Sequence, residues 1–256
     1  ITKSNTLNLV GLKNFPLIFP GDSLPDLIID SIKSNRRKLK DGDVIAIAQK
    51  IVSKSENRYR LLREYQPSKE AKKIAKKIDK DERFVQAVLE ESNKVVRYRK
   101  NVLIVEHKLG FIQANAGIDR SNIDQSDERI LLLPTDPDRS ANRIRLKLTK
   151  HFNVDIGVII TDTMGRPFRN GIVGFAIGAS NINSIKDERG KKDIFGNELK
   201  VTQIGIADEL AAASSLIMGQ ANQKMPVVII RGFSKNKKEI SNAQILIRDE
   251  QEDLFR

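Results

Sequence analysis

The chain has 256 residues, of which 39% are hydrophobic and 30% are charged, as is typical of a folded globular protein. It contains no cysteine, which excludes disulfides, zinc sites built on cysteine and a thiol nucleophile, so a bound metal would be a hard ion such as Mg²⁺, Mn²⁺ or Ca²⁺ held by oxygen atoms. The 45 basic and 33 acidic residues give a net charge of +12, which favours anionic partners such as nucleotides or phosphorylated coenzymes.

The composition and the sequence pattern also disfavour a membrane partner, secretion and a nucleic-acid partner. No apolar run approaches the ~20 residues of a membrane-spanning helix, and Ile1–Val10 lacks the pattern of a secretory signal, so we expect a cytoplasmic protein with no membrane partner. Aromatic residues make up 5% and no basic stretch is interleaved with them, so we expect no nucleic-acid partner. His107 and His151 are the two histidines, and neither has a metal-ligand partner nearby in sequence.

Apolar runs and capping residues predict alternating helices and strands in the first half of the chain. Asp22 or Ser23 would cap a helix that buries Leu24, Leu27, Ile28 and Ile32, and Val44–Ala48 would be a buried strand. Later elements are a helix that Pro67–Glu70 would cap, a helix carrying Phe84, Val85, Val88 and Leu89, and a hairpin formed by Val102–Val105 and Leu109–Ala114, with His107 in its turn.

The second half repeats this mixture. The loop 134–138 would cap a helix carrying Ile144 and Leu148, and a buried strand over residues 156–160 would stop at Thr161-Asp162-Thr163. The remaining predicted elements are strands at Gly171–Gly178, Val201–Ile206 and Pro226–Ile230, a charged loop at Lys186–Asn197 and a helix at Asp208–Met218. We therefore expect a mixed α and β fold, with residues 234–256 as a peripheral tail.

Polar residues follow three of the short buried strands. The segments are Gln49–Lys54, Asn115–Asn122 and Thr161–Arg169, and a fourth polar segment, Met218–Asn222, follows a helix. Together they supply carboxylates, amides, hydroxyls and a lysine, which suit a divalent metal and a nucleotide triphosphate. Neither G-x-x-x-x-G-K-[ST] nor G-x-G-x-x-G is present. The alternative of capped strand ends with solvated charges stays open for each segment taken alone.

Seven segments, in this order, resemble the coenzyme F420-0:gamma-glutamyl ligase family. They are AQKIVSKSENR (Ala48–Arg58), FVQAVLEES (Phe84–Ser92), NAGIDRSN (Asn115–Asn122), LLLPTDPDRSA (Leu131–Ala141), VIITDTMGRPFRNGIVGFAIG (Val158–Gly178), ADELAAA (Ala207–Ala213) and MGQA (Met218–Ala221). The resemblance extends from about Gly11 to Gly232. It implies a catalytic unit over residues 10–233, two interlocked subdomains and an intertwined homodimer.

The resemblance also implies the reaction. Members of this family use GTP to add L-glutamate to the carboxylate of the deazaflavin coenzyme F420-0, and then add γ-linked glutamate to the product. The carboxylate is first phosphorylated to an acyl phosphate, with release of GDP, and the glutamate amine then displaces phosphate. The family uses two divalent ions, Mg²⁺ or Mn²⁺, and is helped by K⁺.

The resemblance further implies residue roles. Asp119, Asp162 and Lys54 would be catalytic, and Asp119, Asp162, Thr163 and Gln220 would surround the metals. The residues implied to contact GTP are Asn14, Phe15, Pro16, Leu17, Gln49, Lys54, Asn122, Met218, Gly219, Gln220, Ala221 and Asn222.

This chain departs from the family pattern at three places. Asn14 and Asn57 stand where glycine is usual, and asparagine tolerates positive φ, so Asn57 can support a similar turn. Gln220 is neutral where some relatives carry glutamate. We also expect a protein without the appended nitroreductase-like domain of some bacterial relatives.

Two other functions remain open at the level of sequence. One is a gamma-glutamyl ligase for another coenzyme acceptor, such as a pterin or folate, and the other is a GTP- or polyanion-binding module without catalysis. The retained carboxylates Asp119 and Asp162 favour catalysis, because anion binding alone needs no carboxylates. On charge alone, Arg166 and Arg169 are candidates to bind the phosphodiester of the coenzyme.

Overall fold

The structure of the protein, a computed structural model, describes residues 6–123, 127–236 and 239–254. Its helices are α1 (Leu24–Ser34), α2 (Gln49–Ser55), α3 (Lys69–Ile78), α4 (Glu82–Glu90), α5 (Pro137–Phe152) and α6 (Ile206–Met218). Its strands are β1 (Asn8–Gly11), β2 (Val44–Ala48), β3 (Tyr59–Leu61), β4 (Ser92–Arg99), β5 (Val102–His107), β6 (Ile112–Ala114), β7 (Arg129–Leu131), β8 (Gly157–Arg166), β9 (Arg169–Ser180), β10 (Lys186–Asp187), β11 (Gln203–Ile204) and β12 (Val227–Arg231). The predicted mixture of α and β structure is confirmed.

The largest sheet has five strands in the order β1-β12-β2-β8-β9. β2 and β8 are parallel, whereas the other neighbours are antiparallel. Both faces of this sheet are covered, because alternate residues of a strand belong to different hydrophobic clusters. Ile45 and Ile47 pack with α1 and α5, and Val44 and Ala46 pack with α6. Burial on both faces explains why the strands are continuous apolar runs in the sequence.

Two aspartates in the first turns of helices accept hydrogen bonds from the backbone of the edge strand β9. Asp138, in the first turn of α5, accepts hydrogen bonds from the backbone N–H groups of Ala179 and Ala243. Asp208, in the first turn of α6, accepts one from Ala176 N–H. The bonds from Ala176 and Ala179 satisfy backbone donors that a sheet edge otherwise exposes, and the bond from Ala243 attaches the C-terminal segment to α5.

A separate hydrophobic cluster lies between residues 62 and 132. It joins α3, α4 and the antiparallel sheet β4-β5-β6, and its members include Ile78, Val88 and Val105. The predicted cap within Pro67–Glu70 is confirmed: Ser68 is the N-cap of α3, and its Oγ accepts from Ala71 N–H at 3.1 Å. Strand β4 was not predicted from the sequence. The division of residues 10–233 into two subdomains stays a prediction.

Two predictions of strand limits are wrong. The strand that was expected to stop at Thr161-Asp162-Thr163 continues to Arg166, because β9 pairs with it up to Arg169. Only its first half is buried, so the change of polarity at Thr161 marks the end of the core and not the end of the strand. The predicted strand Val201–Ile206 is reduced to Gln203–Ile204, and α6 already begins at Ile206.

The C-terminal segment after residue 233 contacts the rest of the protein. Ser241 pairs with Ile182 in a β-bridge and with Ser184 through hydrogen bonds, and Ala243 is fully buried.

Among the described residues, no helix is both long enough and apolar enough to cross a membrane.

Candidate active site

The parallel pairing of β2 and β8 brings two of the polar segments together. Ala48, the last residue of β2, lies opposite Thr161 of β8. Gln49 therefore begins α2 beside the position where Asp162 follows Thr161. The carboxyl ends of parallel strands are where open α/β sheets bind ligands. A β-bulge between Ile160 and Thr161 changes the register with β9 at this point, as bulges next to active sites often do.

Asp119 reaches the same place from the third segment. A bridge between Asp119 and Leu131, with backbone hydrogen bonds of 2.9 and 3.0 Å, fixes its main chain. Its carboxylate accepts a hydrogen bond of 2.6 Å from Gln49 Nε2 and lies 3.2 Å from Lys50 Nζ. Ser53 Oγ donates to Gln49 Oε1 at 2.9 Å, which turns the amide so that its NH₂ group faces Asp119. Both Gln49 and Ser53 are buried.

Asp162 carries the most perturbed carboxyl group of the site. Burial raises its pKa to about 7, and the neighbouring charge of Asp119 acts in the same direction. The hydrogen bond of 2.8 Å from Thr163 N–H to its Oδ1 opposes this rise. Burial also raises the pKa of Asp119, and Lys50 counteracts it. The charge of Asp119 thus raises the proton affinity of Asp162, and two carboxylates arranged in this way form a site where a cation is favoured.

Two lysines on one face of α2 place positive charge beside the two carboxylates. Lys50 and Lys54 are four residues apart, so their side chains are neighbours on the helix. Lys54 Nζ donates to the backbone oxygen of Asn122 at 2.7 Å. Burial lowers the pKa of Lys54, and the charge of Lys50 lowers it further. A bound anion such as a phosphate would relieve this repulsion.

These groups line one cavity of about 420 Å³. Its lining residues are Phe15, Pro16, Leu17, Ile18, Ala48, Gln49, Lys50, Ile51, Lys54, Asp119, Ser121, Asn122, Thr161, Asp162, Thr163, Ser215, Met218, Gly219, Gln220, Ala221, Asn222, Lys224, Met225 and Pro226. Of the residues implied by the resemblance, only Asn14 is outside this lining; its φ is +55°, a conformation that glycine adopts most easily. Asn57 also has positive φ, at +52°, so the prediction of a glycine-like turn there is confirmed.

The sequence reasoning missed Lys50 as a site residue. Its contacts with Asp119 and with Ser121 Oγ, at 3.1 Å, link its own segment, Gln49–Lys54, to the segment Asn115–Asn122. The signal was its spacing of four residues from Lys54, which predicts a shared helix face.

The donor atoms of the cavity fit a hard divalent ion. Asp119 and Asp162 supply carboxylate oxygens, and Thr163 and Gln220 add neutral oxygens to the lining. Within the described part of the chain, no three His, Cys, Asp or Glu side chains are grouped as a metal site. A metal bound here would therefore rely on neutral oxygens, water or substrate oxygens for its remaining ligands.

Arg166 and Arg169 lie away from the cavity. They pair with each other at the tip of the β8–β9 hairpin, where both are exposed. Pro167 and Phe168 form the turn between them, with Phe168 at a φ of +59°. Their proposed contact with the coenzyme phosphodiester stays a prediction.

Comparison with known proteins gives a consistent result over almost the whole chain. Residues 13–232 match the family described as F420-0:Gamma-glutamyl ligase. The chain is 42% identical over 251 residues to the coenzyme F420:L-glutamate ligase of Methanothermobacter thermautotrophicus, covering 98% of this chain and 99% of the relative. It is 43% identical over 245 residues to the protein of the same name from Archaeoglobus fulgidus, covering 96% and 94%. It is 37% identical over 256 residues to that of Haloarcula marismortui, covering 98% and 96%.

Proposed function

This chain belongs to the F420-0:gamma-glutamyl ligase family, and we propose that it uses GTP to add L-glutamate to the carboxylate of coenzyme F420-0, and then γ-linked glutamate to the product. The names of its relatives support a ligase that joins glutamate to this coenzyme. The observation that carries the dependence on GTP is the cavity itself, in which two carboxylates lie beside Lys50 and Lys54.

The chemistry requires an activated carboxylate, because a carboxylate ion is a poor electrophile. Transfer of the γ-phosphoryl group of GTP to the acceptor carboxylate forms an acyl phosphate and releases GDP. The amine of glutamate then attacks the acyl carbon, the C–O bond to phosphate breaks, and the amine loses its proton. Inorganic phosphate and an amide are the products.

The residues of the cavity have distinct roles in this proposal. Lys50 and Lys54 neutralise phosphate oxygens as point charges. Gln49, held by Ser53, orients the Asp119 carboxylate. Asp119 and Asp162, with Thr163 and Gln220, would hold one or two Mg²⁺ or Mn²⁺ ions, which supply positive charge to the phosphate oxygens during transfer. As in the family, K⁺ would assist.

Neither alternative function is favoured by an observation on this chain. A module that only binds anions gains nothing from two half-buried carboxylates, which repel phosphate. A pterin or folate acceptor is not supported by the relatives, which are named for coenzyme F420.

One incubation tests the proposal. The purified protein is mixed with GTP, Mn²⁺, K⁺, L-glutamate and coenzyme F420-0, and the coenzyme is followed by mass spectrometry. We expect a mass increase of one glutamate residue, then further increases, with stoichiometric GDP. An unchanged coenzyme mass would defeat the proposed reaction, and ATP in place of GTP serves as the control for nucleotide choice.

We also propose that the protein is a homodimer. Several large apolar side chains on the β8–β9 hairpin and the loop after it are almost fully exposed: Phe168 (94%), Ile194 (92%), Phe195 (84%) and Val201 (85%). Exposed apolar side chains in such number are typical of surfaces that contact another protein. The homodimer of the family supplies the partner, a second copy of this chain.

A further inference from the structure

Lys50 acts on both carboxylates of the active-site cavity. Its Nζ lies 3.2 Å from Asp119 Oδ1 and donates to Ser121 Oγ at 3.1 Å. Burial and the charge of Asp119 raise the pKa of Asp162, and the charge of Lys50 opposes this rise. The ammonium group of Lys50 is therefore a positive charge beside the same two side chains that fit a divalent ion.

The two oxygens of the Asp119 carboxylate have different partners. Oδ2 accepts the hydrogen bond of 2.6 Å from Gln49 Nε2, whereas Oδ1 faces Lys50. Gln49 is buried, and its amide oxygen accepts at 2.9 Å from Ser53 Oγ, which is itself fully buried. Because the Gln49 amide is held in this way, Oδ1 is the oxygen whose partner can move away.

The Lys50 side chain can leave Asp119 more easily than Gln49 can. It is 22% exposed, and a lysine carries its charge at the end of a flexible chain of four carbons. Lys50 and Lys54 line the same cavity. A rotation of the Lys50 side chain away from Asp119 can therefore keep its ammonium group within the space where a phosphate would meet Lys54.

A divalent ion on Asp119 Oδ1 would compete with the ammonium group of Lys50. Mg²⁺ binds oxygen ligands at about 2.1 Å, so an ion on this oxygen would lie within about 5.3 Å of Lys50 Nζ as it now stands. Positive charges at such a separation repel each other strongly in a site that is partly shielded from water. Binding of the ion is therefore coupled to withdrawal of the ammonium group.

We propose that Lys50 is a displaceable counter-ion of Asp119, which a divalent ion replaces and which then binds the phosphate groups of the nucleotide. The inference rests on the proposed function and extends it, because one side chain couples the binding of metal and nucleotide. Metal alone leaves the ammonium group without its carboxylate, and nucleotide alone draws that group away from Asp119. Each ligand therefore binds better when the other is present.

The first test is the affinity for Mn²⁺ alone, measured by calorimetry without nucleotide. In Lys50→Met the competing charge is removed at nearly constant side-chain length, so Mn²⁺ should bind about ten-fold more tightly or better. Lys50→Arg keeps the charge and should bind Mn²⁺ as weakly as the wild type. Lys147→Met is the matched control, because Lys147 pairs with Asp26 outside the cavity lining and its loss changes the net charge equally.

The second measurement is the affinity for GDP at saturating Mn²⁺. Lys50→Met should bind GDP about ten-fold more weakly, because a charged partner of the phosphate groups is lost. The two expected effects of this substitution have opposite signs. A merely structural role of Lys50 would not produce that pattern, since local unfolding of α2 would weaken the binding of both ligands.

The same substitution in an Asp119→Asn background shows whether Lys50 acts through Asp119. Without the carboxylate, Lys50→Met should no longer increase the affinity for Mn²⁺. A gain that persists in this background would overturn the inference, as would an equal gain in Lys147→Met.

An affinity for Mn²⁺ that is unchanged or lower in Lys50→Met would reject the competition, and an unchanged affinity for GDP would reject the transfer of Lys50 to phosphate. Neither measurement depends on turnover. If the wild type shows no ligase activity, the proposed function fails by itself, and the affinities for Mn²⁺ and GDP still decide the role of Lys50.

Discussion

Asp162 is where the metal assignment can be tested with the smallest chemical change. In Asp162→Asn one carboxylate oxygen is exchanged for NH₂, so the shape is kept while a negative charge and a metal ligand are lost. We expect GTP turnover to fall by at least about a hundred-fold, given what metal ions contribute to phosphoryl transfer. The measurement is GDP release with saturating Mn²⁺, together with the melting temperature to show that the protein is folded.

Asp208→Asn is the control for this change. Burial raises the pKa of Asp208 as well, but its carboxylate accepts from Ala176 N–H and lies outside the cavity lining. The amide oxygen of asparagine can accept the same hydrogen bond, so activity should be retained. Near-normal turnover in Asp162→Asn would show that Asp162 is not a required ligand.

The raised pKa of Asp162, at about 7, predicts how the stability of the metal-free protein changes with pH. Between the usual pKa of the carboxyl group and this value, the folded protein keeps a proton that the unfolded chain has lost. The free energy of unfolding from this group therefore falls as pH rises through that window, by an amount on the order of a few kcal/mol.

A divalent ion should reverse this effect, because it would replace the proton that Asp162 keeps in the folded protein. We expect Mn²⁺ to raise the melting temperature more at about pH 8 than at about pH 5. Asp162→Asn should show little of this difference. An equal effect of Mn²⁺ at both pH values in the wild type would contradict the assignment.

At the scale of the secondary-structure elements, the glycines of β9 decide how closely the helices pack on the sheet. A Cβ atom at Gly178 would lie 2.5 Å from the backbone of Pro137 at the start of α5. Gly178→Ala should therefore force α5 away from the sheet and destabilise the protein by about 1–3 kcal/mol or more. Chemical denaturation measures this loss.

Gly165→Ala is the matched control. Gly165 lies on the neighbouring strand β8, outside the left-handed region, and a Cβ atom there would meet no atom within 4 Å. This substitution should change the free energy of unfolding by less than about 0.5 kcal/mol. If both variants lost the same stability, close helix packing would not be the reason for the glycine at 178.

The same two strands show where prediction from a pattern stops. The apolar run of β8 predicted its buried half correctly, because side chains buried on both faces leave a continuous signal. The second half, from Asp162 to Arg166, has no such signal, and it is a strand because β9 supplies its hydrogen bonds. The polarity of the residues along a strand indicates which of them are buried, but it does not indicate whether a neighbouring strand forms hydrogen bonds with them.

For the whole molecule, the exposed apolar residues predict the oligomeric state. Phe195→Asp should convert a dimer into a monomer, because a charge would be placed where an apolar side chain is buried against the second copy. The mass in solution, from light scattering after gel filtration, is the measurement. Leu146→Asp is the control, since Leu146 is 52% exposed on α5, outside the hairpin and its loop.

An unchanged mass in Phe195→Asp, or a monomeric wild type, would contradict the homodimer. If the monomeric variant retained ligase activity, the active site would be complete within one chain.

The sequence by itself determined the mixed α and β class, most of the core elements and the types of residue at the site, since these depend on local periodicity, capping and the order of motifs. Only the tertiary structure decided that Lys50 pairs with Asp119, that β8 continues past its buried half, and that Lys80 and Arg120 share the ring of Phe84. The reason is distance along the chain. Gln49 and Asp119 are 70 residues apart and meet at 2.6 Å because Asp119 bridges Leu131 of β7 and β7 pairs with β3, the strand that follows α2. No local pattern encodes such pairings.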